Sequence, residues 1–76
     1  MSSAYYTRFA VNDETLTFDG EACGEVSDPL GAASLDQWAS REAIDAMQEI
    51  ADANDVGLSE IAGVVRDVVS QYRLDA

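Results

Sequence analysis

Two periods divide the chain. In YYTRFAV, residues 5–11, Tyr5, Thr7, Phe9 and Val11 share one face of an extended backbone, and Tyr6, Arg8 and Ala10 share the other. The aromatic and β-branched content of this run favours a strand. Asn12-Asp13-Glu14 reads as a polar turn, after which Thr15 to Phe18 alternates again with Leu16 and Phe18 on one face. Asp19-Gly20 is the strongest local turn signal, because glycine accepts positive φ without steric cost. A third strand over Glu21 to Val26 is interrupted by Gly24, a residue that within strands marks a bulge or a close backbone approach. Strands are therefore expected within about residues 5–26, with a loop over 27–33 around Pro29.

From about residue 34 the period becomes that of a helix. Ser34-Leu35-Asp36-Gln37 fits a capping box, in which the serine hydroxyl and the glutamine side chain satisfy backbone amides reciprocally. A first helix is expected over about 34–54. Its inner stripe is Ala39, Ala43, Ala46, Met47 and Ile50, its outer stripe the carboxylates Glu42, Asp45, Glu49 and Asp52. Gly57 is the expected stop. Ser59 is the expected N-cap of a second helix over about 59–73, with Glu60 placed against the helix dipole. Leu58, Ile61, Val64, Val65, Val68, Val69 and Tyr72 form its broad apolar arc. The predicted fold is α+β: an N-terminal β-hairpin or three-stranded antiparallel meander followed by two antiparallel α-helices, one domain over residues 1–76.

Composition changes this picture in two ways. Seventy-six residues bury only about 60% of the surface that the unfolded chain exposes, so oligomerisation is a common remedy at this size. The charge balance is 15 Asp and Glu against 4 Arg, with no Lys and no His, for a net charge of −11. Six of the acids lie in residues 1–33 and nine in 34–76, without a block of like charges, so the chain has no acidic tail. Dispersed carboxylates with lysine removed resemble the small acidic proteins of halophilic archaea. That resemblance implies an intracellular protein whose self-repulsion is screened, since the Debye length is about 3 Å in molar salt. A start without signal-peptide character, no apolar run of membrane-spanning length and a single cysteine, Cys23, make a soluble cytoplasmic protein the expectation.

The charge is also uneven. Leu35 to Ala53 carries five acids and one Arg, whereas Ser59 to Arg73 carries two of each sign. The neutral, valine-rich second helix has an arc wide enough that one neighbouring helix would hardly cover both edges. Val64, Val65, Val68, Val69 and Tyr72 are the candidate interface, either with a second copy in a homodimer or with another protein.

Several chemistries are excluded. Without histidine, Ser-His-Asp and Cys-His catalysis in their usual forms cannot be built. One cysteine and no histidine exclude an ordinary intrachain zinc site. In DETLTFDGEACGE, aligning Gly20 with the glycine of a calcium loop puts Thr15 at its first position and Val26 at its twelfth, where carboxylates are required. Neighbouring Glu21 and Glu25 would suppress the Cys23 thiolate, and Trp38 reads as a core aromatic capping the strands. No catalytic residue, cofactor site or metal site is assigned, and a non-enzymatic role follows.

The segment AIDAMQEIADANDVGLSEIAGVVRDVVSQY, residues 43–72, resembles the helical half of ribbon-helix-helix regulators. The resemblance implies a dimer whose paired strands present alternate side chains to the DNA major groove, with Tyr6 and Arg8 as the nucleic-acid contacts here. In that family the strand leads directly into the first helix, whereas more than twenty residues intervene in this chain. Phosphate contacts also need Lys or Arg, and Arg8 is the only basic residue before Arg41. The leading expectation is thus a salt-adapted protein acting by protein–protein interaction or as a subunit, with a DNA-binding regulator as the alternative.

Overall fold

Asp19 and Gly20 both have positive φ, 54° and 86°, which a two-residue hairpin turn of type I′ requires. This turn joins β2 (Thr15–Phe18) to β3 (Glu21–Glu25), and Asp13-Glu14 joins β1 (Phe9–Asn12) to β2. In the computed structural model, which describes residues 4–75, the three strands form an antiparallel sheet in the order β1-β2-β3. Helices α1 (Arg41–Ala53) and α2 (Leu58–Asp75) follow. The fold is α+β, as the change of period predicts, and of the two expected forms of the sheet it is the three-stranded meander, followed by two helices.

One face of the sheet carries the core. Phe9 stands opposite Phe18 and Val11 opposite Leu16, and the two phenylalanine rings pack at 4.7 Å between centroids, tilted by 46°. Such a pair contributes about 1 kcal/mol beyond its area burial. α2 packs against β1 and α1 against β3, and the helices pack on each other. Leu16, Met47, Ile61, Val65 and Val69 are fully buried between the layers. Cys23 is the extra residue of a bulge between the pairs Leu16–Gly24 and Thr17–Ala22, so the interruption read at Gly24 is real. The glycine itself lets α1 start against the strand.

Several local expectations are corrected. Tyr5 to Thr7 lie in a 3-10 helix over Ala4–Thr7, and the strand begins only at Phe9. Arg8 donates its N–H back to the Tyr5 carbonyl at 3.0 Å, a turn bond that ends the extended run. Ser34 does not cap a helix. It precedes a single 3-10 turn, Leu35–Gln37, with no capping bond from its side chain. The Gln37 side chain does reach back, but its Oε1 accepts from the Ala33 N–H at 2.7 Å, one residue before the Ser34 amide that a capping box would use. The α-helix begins later than predicted, at Arg41, where the Ser40 hydroxyl accepts from the Ala43 N–H at 3.1 Å.

The stop and restart also shift. α1 ends through Asp55, at φ 57°, with Val56 N–H donating to the Ala51 carbonyl at 3.0 Å and Asp55 N–H to the Asp52 carbonyl at 3.3 Å. This is the Schellman pattern with aspartate in the left-handed position that glycine usually fills. Gly57 instead provides the first carbonyl of α2, accepting from Glu60 N–H at 3.1 Å. Ser59 therefore sits inside the first turn and is not the N-cap.

Residues 27–40 are more than a loop. Val26 pairs with Ala39 in an antiparallel bridge. Ser27 N–H donates to the Trp38 carbonyl at 2.7 Å, and Ser40 N–H to the Glu25 carbonyl at 2.9 Å. Glu25 N–H donates to the Ser40 hydroxyl at 3.1 Å, so one side chain joins β3 to the start of α1. Trp38 is buried in the core, as is Pro29.

Candidate interaction face

The two residues predicted to meet nucleic acid are held by carboxylates of the chain itself. Arg8 donates from Nε and Nη2 to the two Asp19 carboxylate oxygens at 3.0 and 2.7 Å, and its guanidinium lies 4.6 Å from the centre of the Phe18 ring. The paired guanidinium holds the Asp19 carboxyl below the usual carboxylate range. The Tyr6 hydroxyl donates to Asp67 at 2.6 Å, and this bond raises the tyrosine's pKa. Tyr6 lies in a 3-10 helix and Arg8 precedes β1, so the two do not form the alternating face of a strand. This corrects the expected arrangement.

The predicted helical interface is largely internal. Val65 and Val69 are fully buried and Val64 is 5% exposed, because β1, α1 and the 3-10 helix at Ala4–Thr7 all pack on α2. These three valines present no surface to a partner. Val68 and Tyr72 are half-buried, and the Tyr72 hydroxyl accepts from the Asp13 N–H at 2.9 Å, fastening the helix to the β1–β2 turn. The wide arc is thus met by three elements, where one would not have sufficed.

Among the described residues, open hollows mark the surface, and three of them bear on function. The largest of them, about 960 Å³ between the β2–β3 hairpin and α1, is lined by Phe18, Ala46 and Ile50 together with Glu21, Glu42, Asp45 and Glu49. Cys23 lies there, its thiol pKa raised chiefly by burial and further by Glu21 and Glu42, against a lowering by the backbone hydrogen bond at Phe18, a balance that disfavours the thiolate. A second hollow beside Trp38 carries Glu14, Glu25 and Asp36. Among the described residues no group of three Cys, Asp or Glu side chains converges as metal ligands would, and no helix is long and apolar enough to cross a membrane.

The third hollow, about 390 Å³, has a different character. Leu35 and Trp38 form one wall, Leu58, Ala62 and Gly63 the other, and Arg66 stands at the rim; no carboxylate lines it. Arg66 Nη2 leans towards the Pro29 carbonyl at 3.4 Å. Beside it Leu30 is 86% exposed at the tip of the turn. Periodicity singles out neither this hollow nor Leu30. The signal in the sequence is charge: Pro29 to Leu35 and Val56 to Ser59 are uncharged runs in an otherwise acidic chain. Comparison with models of known families, with curated proteins and with solved structures finds no match to this chain.

Proposed function

We propose that this chain is a small, non-enzymatic, salt-adapted protein that acts by binding another protein, as a partner or as a subunit. The contact face is the groove between the 33–38 segment and the start of α2. One observation carries this reading. On a chain with net charge −11, this groove combines apolar walls, a lone arginine and no carboxylate. Protein interfaces deplete charge at their centres and enrich aromatic residues and arginine, and the other two hollows carry three or more acids each.

The alternative, a regulator reading DNA through Tyr6 and Arg8, ranks second. Both side chains would have to leave a carboxylate before reaching a phosphate or a base.

The test uses Ala62→Arg, which places a long cation in the groove on the partly exposed side of α2. Wild-type and variant chains are purified from the producing cells in molar KCl, after matched thermal unfolding curves show that both fold. A partner retained by the wild type and lost from Ala62→Arg supports the groove. Equal recovery with both chains would overturn it.

A further inference from the structure

We propose that the occupant of this groove is the Asp28–Leu30 turn of a second copy of the chain, in a two-fold symmetric dimer; this rests on the groove being the contact face. The turn is built as a fixed projection. Pro29 is buried, the Asp28 carboxylate accepts from the Leu30 N–H at 2.9 Å, and Ala32 N–H donates to the Pro29 carbonyl at 3.0 Å. Leu30 is thereby held 86% exposed, a large apolar side chain with no cover in its own chain. The hollow that would receive it begins just beyond, at Ala33. Arg66, which lines the hollow, reaches the Pro29 carbonyl at 3.4 Å, so projection and hollow are neighbours, and a two-fold axis between them would seat each Leu30 in the other copy's groove. An isologous interface needs this self-complementarity.

Charge points to the same occupant. Among the described residues Arg66 has no carboxylate within 4.0 Å, since the ion pairs there are Arg8–Asp19 and Arg41–Asp45. The arriving turn carries Asp28, so each copy offers one carboxylate to the other's guanidinium at the groove rim. A pairing through α1 would oppose like charges. The stripe of Glu42, Asp45, Glu49 and Asp52 is exposed along α1, and facing it with its own copy would be repulsive.

The measurement is mass in solution by sedimentation or light scattering, in molar KCl, from micromolar to millimolar chain. Wild type is expected at twice the 8.1 kDa of one chain. Leu30→Asp and Arg66→Asp are each expected at the monomer mass, with circular dichroism confirming the fold. A wild-type monomer at millimolar concentration would overturn the second copy as occupant. The groove itself would then stand or fall on the loss of a different partner by Ala62→Arg. A dimer that persists in Leu30→Asp, or that Ala62→Arg leaves intact, would overturn this arrangement.

Discussion

At Gly24 the backbone runs at φ +138°, and a methyl group there would lie 2.6 Å from Ala43 N and 2.9 Å from its Cα. Both contacts are with helix backbone, which cannot step aside without moving α1. Gly24→Ala therefore combines a strained dihedral with overpacking, and it is expected to cost about 3 kcal/mol or more, read as a lower urea midpoint in molar KCl. Gly63 is the opposite case. Within α2 it has open space around its Cα, so Gly63→Ala is expected to add about 0.5–1 kcal/mol through helix propensity. The sequence marks Gly24 as an interruption of a strand. It does not show that the obstacle is a helix start some twenty residues away. The positions of Tyr6 and Arg8 are illegible for a related reason. Alternation reports which side chains could share a face, whereas the Arg8–Tyr5 turn bond and the carboxylates of Asp19 and Asp67 decide where these two lie.

Between elements, two serines compete for one helix start. Ser34 matches the capping-box pattern, yet Ser40 holds the cap, because Trp38, Ala39 and Ser40 are engaged by the end of β3 and the backbone cannot coil through them. A local motif is blind to that pairing. Ser40→Ala is expected to lose about 1–2 kcal/mol, since its hydroxyl accepts from both Ala43 and Glu25 amides. Ser34→Ala should stay within about 0.5 kcal/mol. Thermal or urea unfolding of the two variants side by side checks the assignment, and the reverse order would refute it. The end of α1 makes a complementary case. Asp55 sits in the left-handed conformation beside the negative end of the helix dipole, doubly unfavourable for this residue. Asp55→Gly is expected to stabilise the protein by up to about 1 kcal/mol. The existence and type of α2 are plain in its periodicity and the β2–β3 turn in Asp19-Gly20, because both depend on neighbours close in sequence, whereas alternation leaves the sheet open between a hairpin and a three-stranded meander.

Across the whole molecule, the balance of attraction and repulsion sets the response to salt. Among the described residues the attractive pairs are few: Arg8–Asp19 at 2.7 Å and the exposed Arg41–Asp45 at 3.3 Å. Exposed pairs of this kind contribute roughly 0–1 kcal/mol, and salt weakens them. Against them stand 15 acids on a chain of 76 residues, held at a radius of gyration of 11.2 Å. That is comparable to the Debye length of about 10 Å at 0.1 M, so in dilute buffer most carboxylates repel across the molecule; at 1 M, with a length of about 3 Å, they do not. Relief of repulsion should exceed the loss of two surface pairs, and salt also strengthens apolar burial when the anion is excluded from the surface. The expected result is a thermal midpoint rising by about 10 °C or more from low salt to molar KCl, equivalent to roughly 2 kcal/mol for a domain of this size. Screening predicts a further consequence. Glu42→Gln combined with Glu49→Gln removes two charges from the exposed stripe of α1 without touching the core. It should raise the midpoint in dilute buffer and flatten its climb with KCl, while leaving the molar-salt value nearly unchanged. A midpoint that does not move with KCl in either protein would mean that the acidity has no part in stability, and the salt-adapted reading would fall with it.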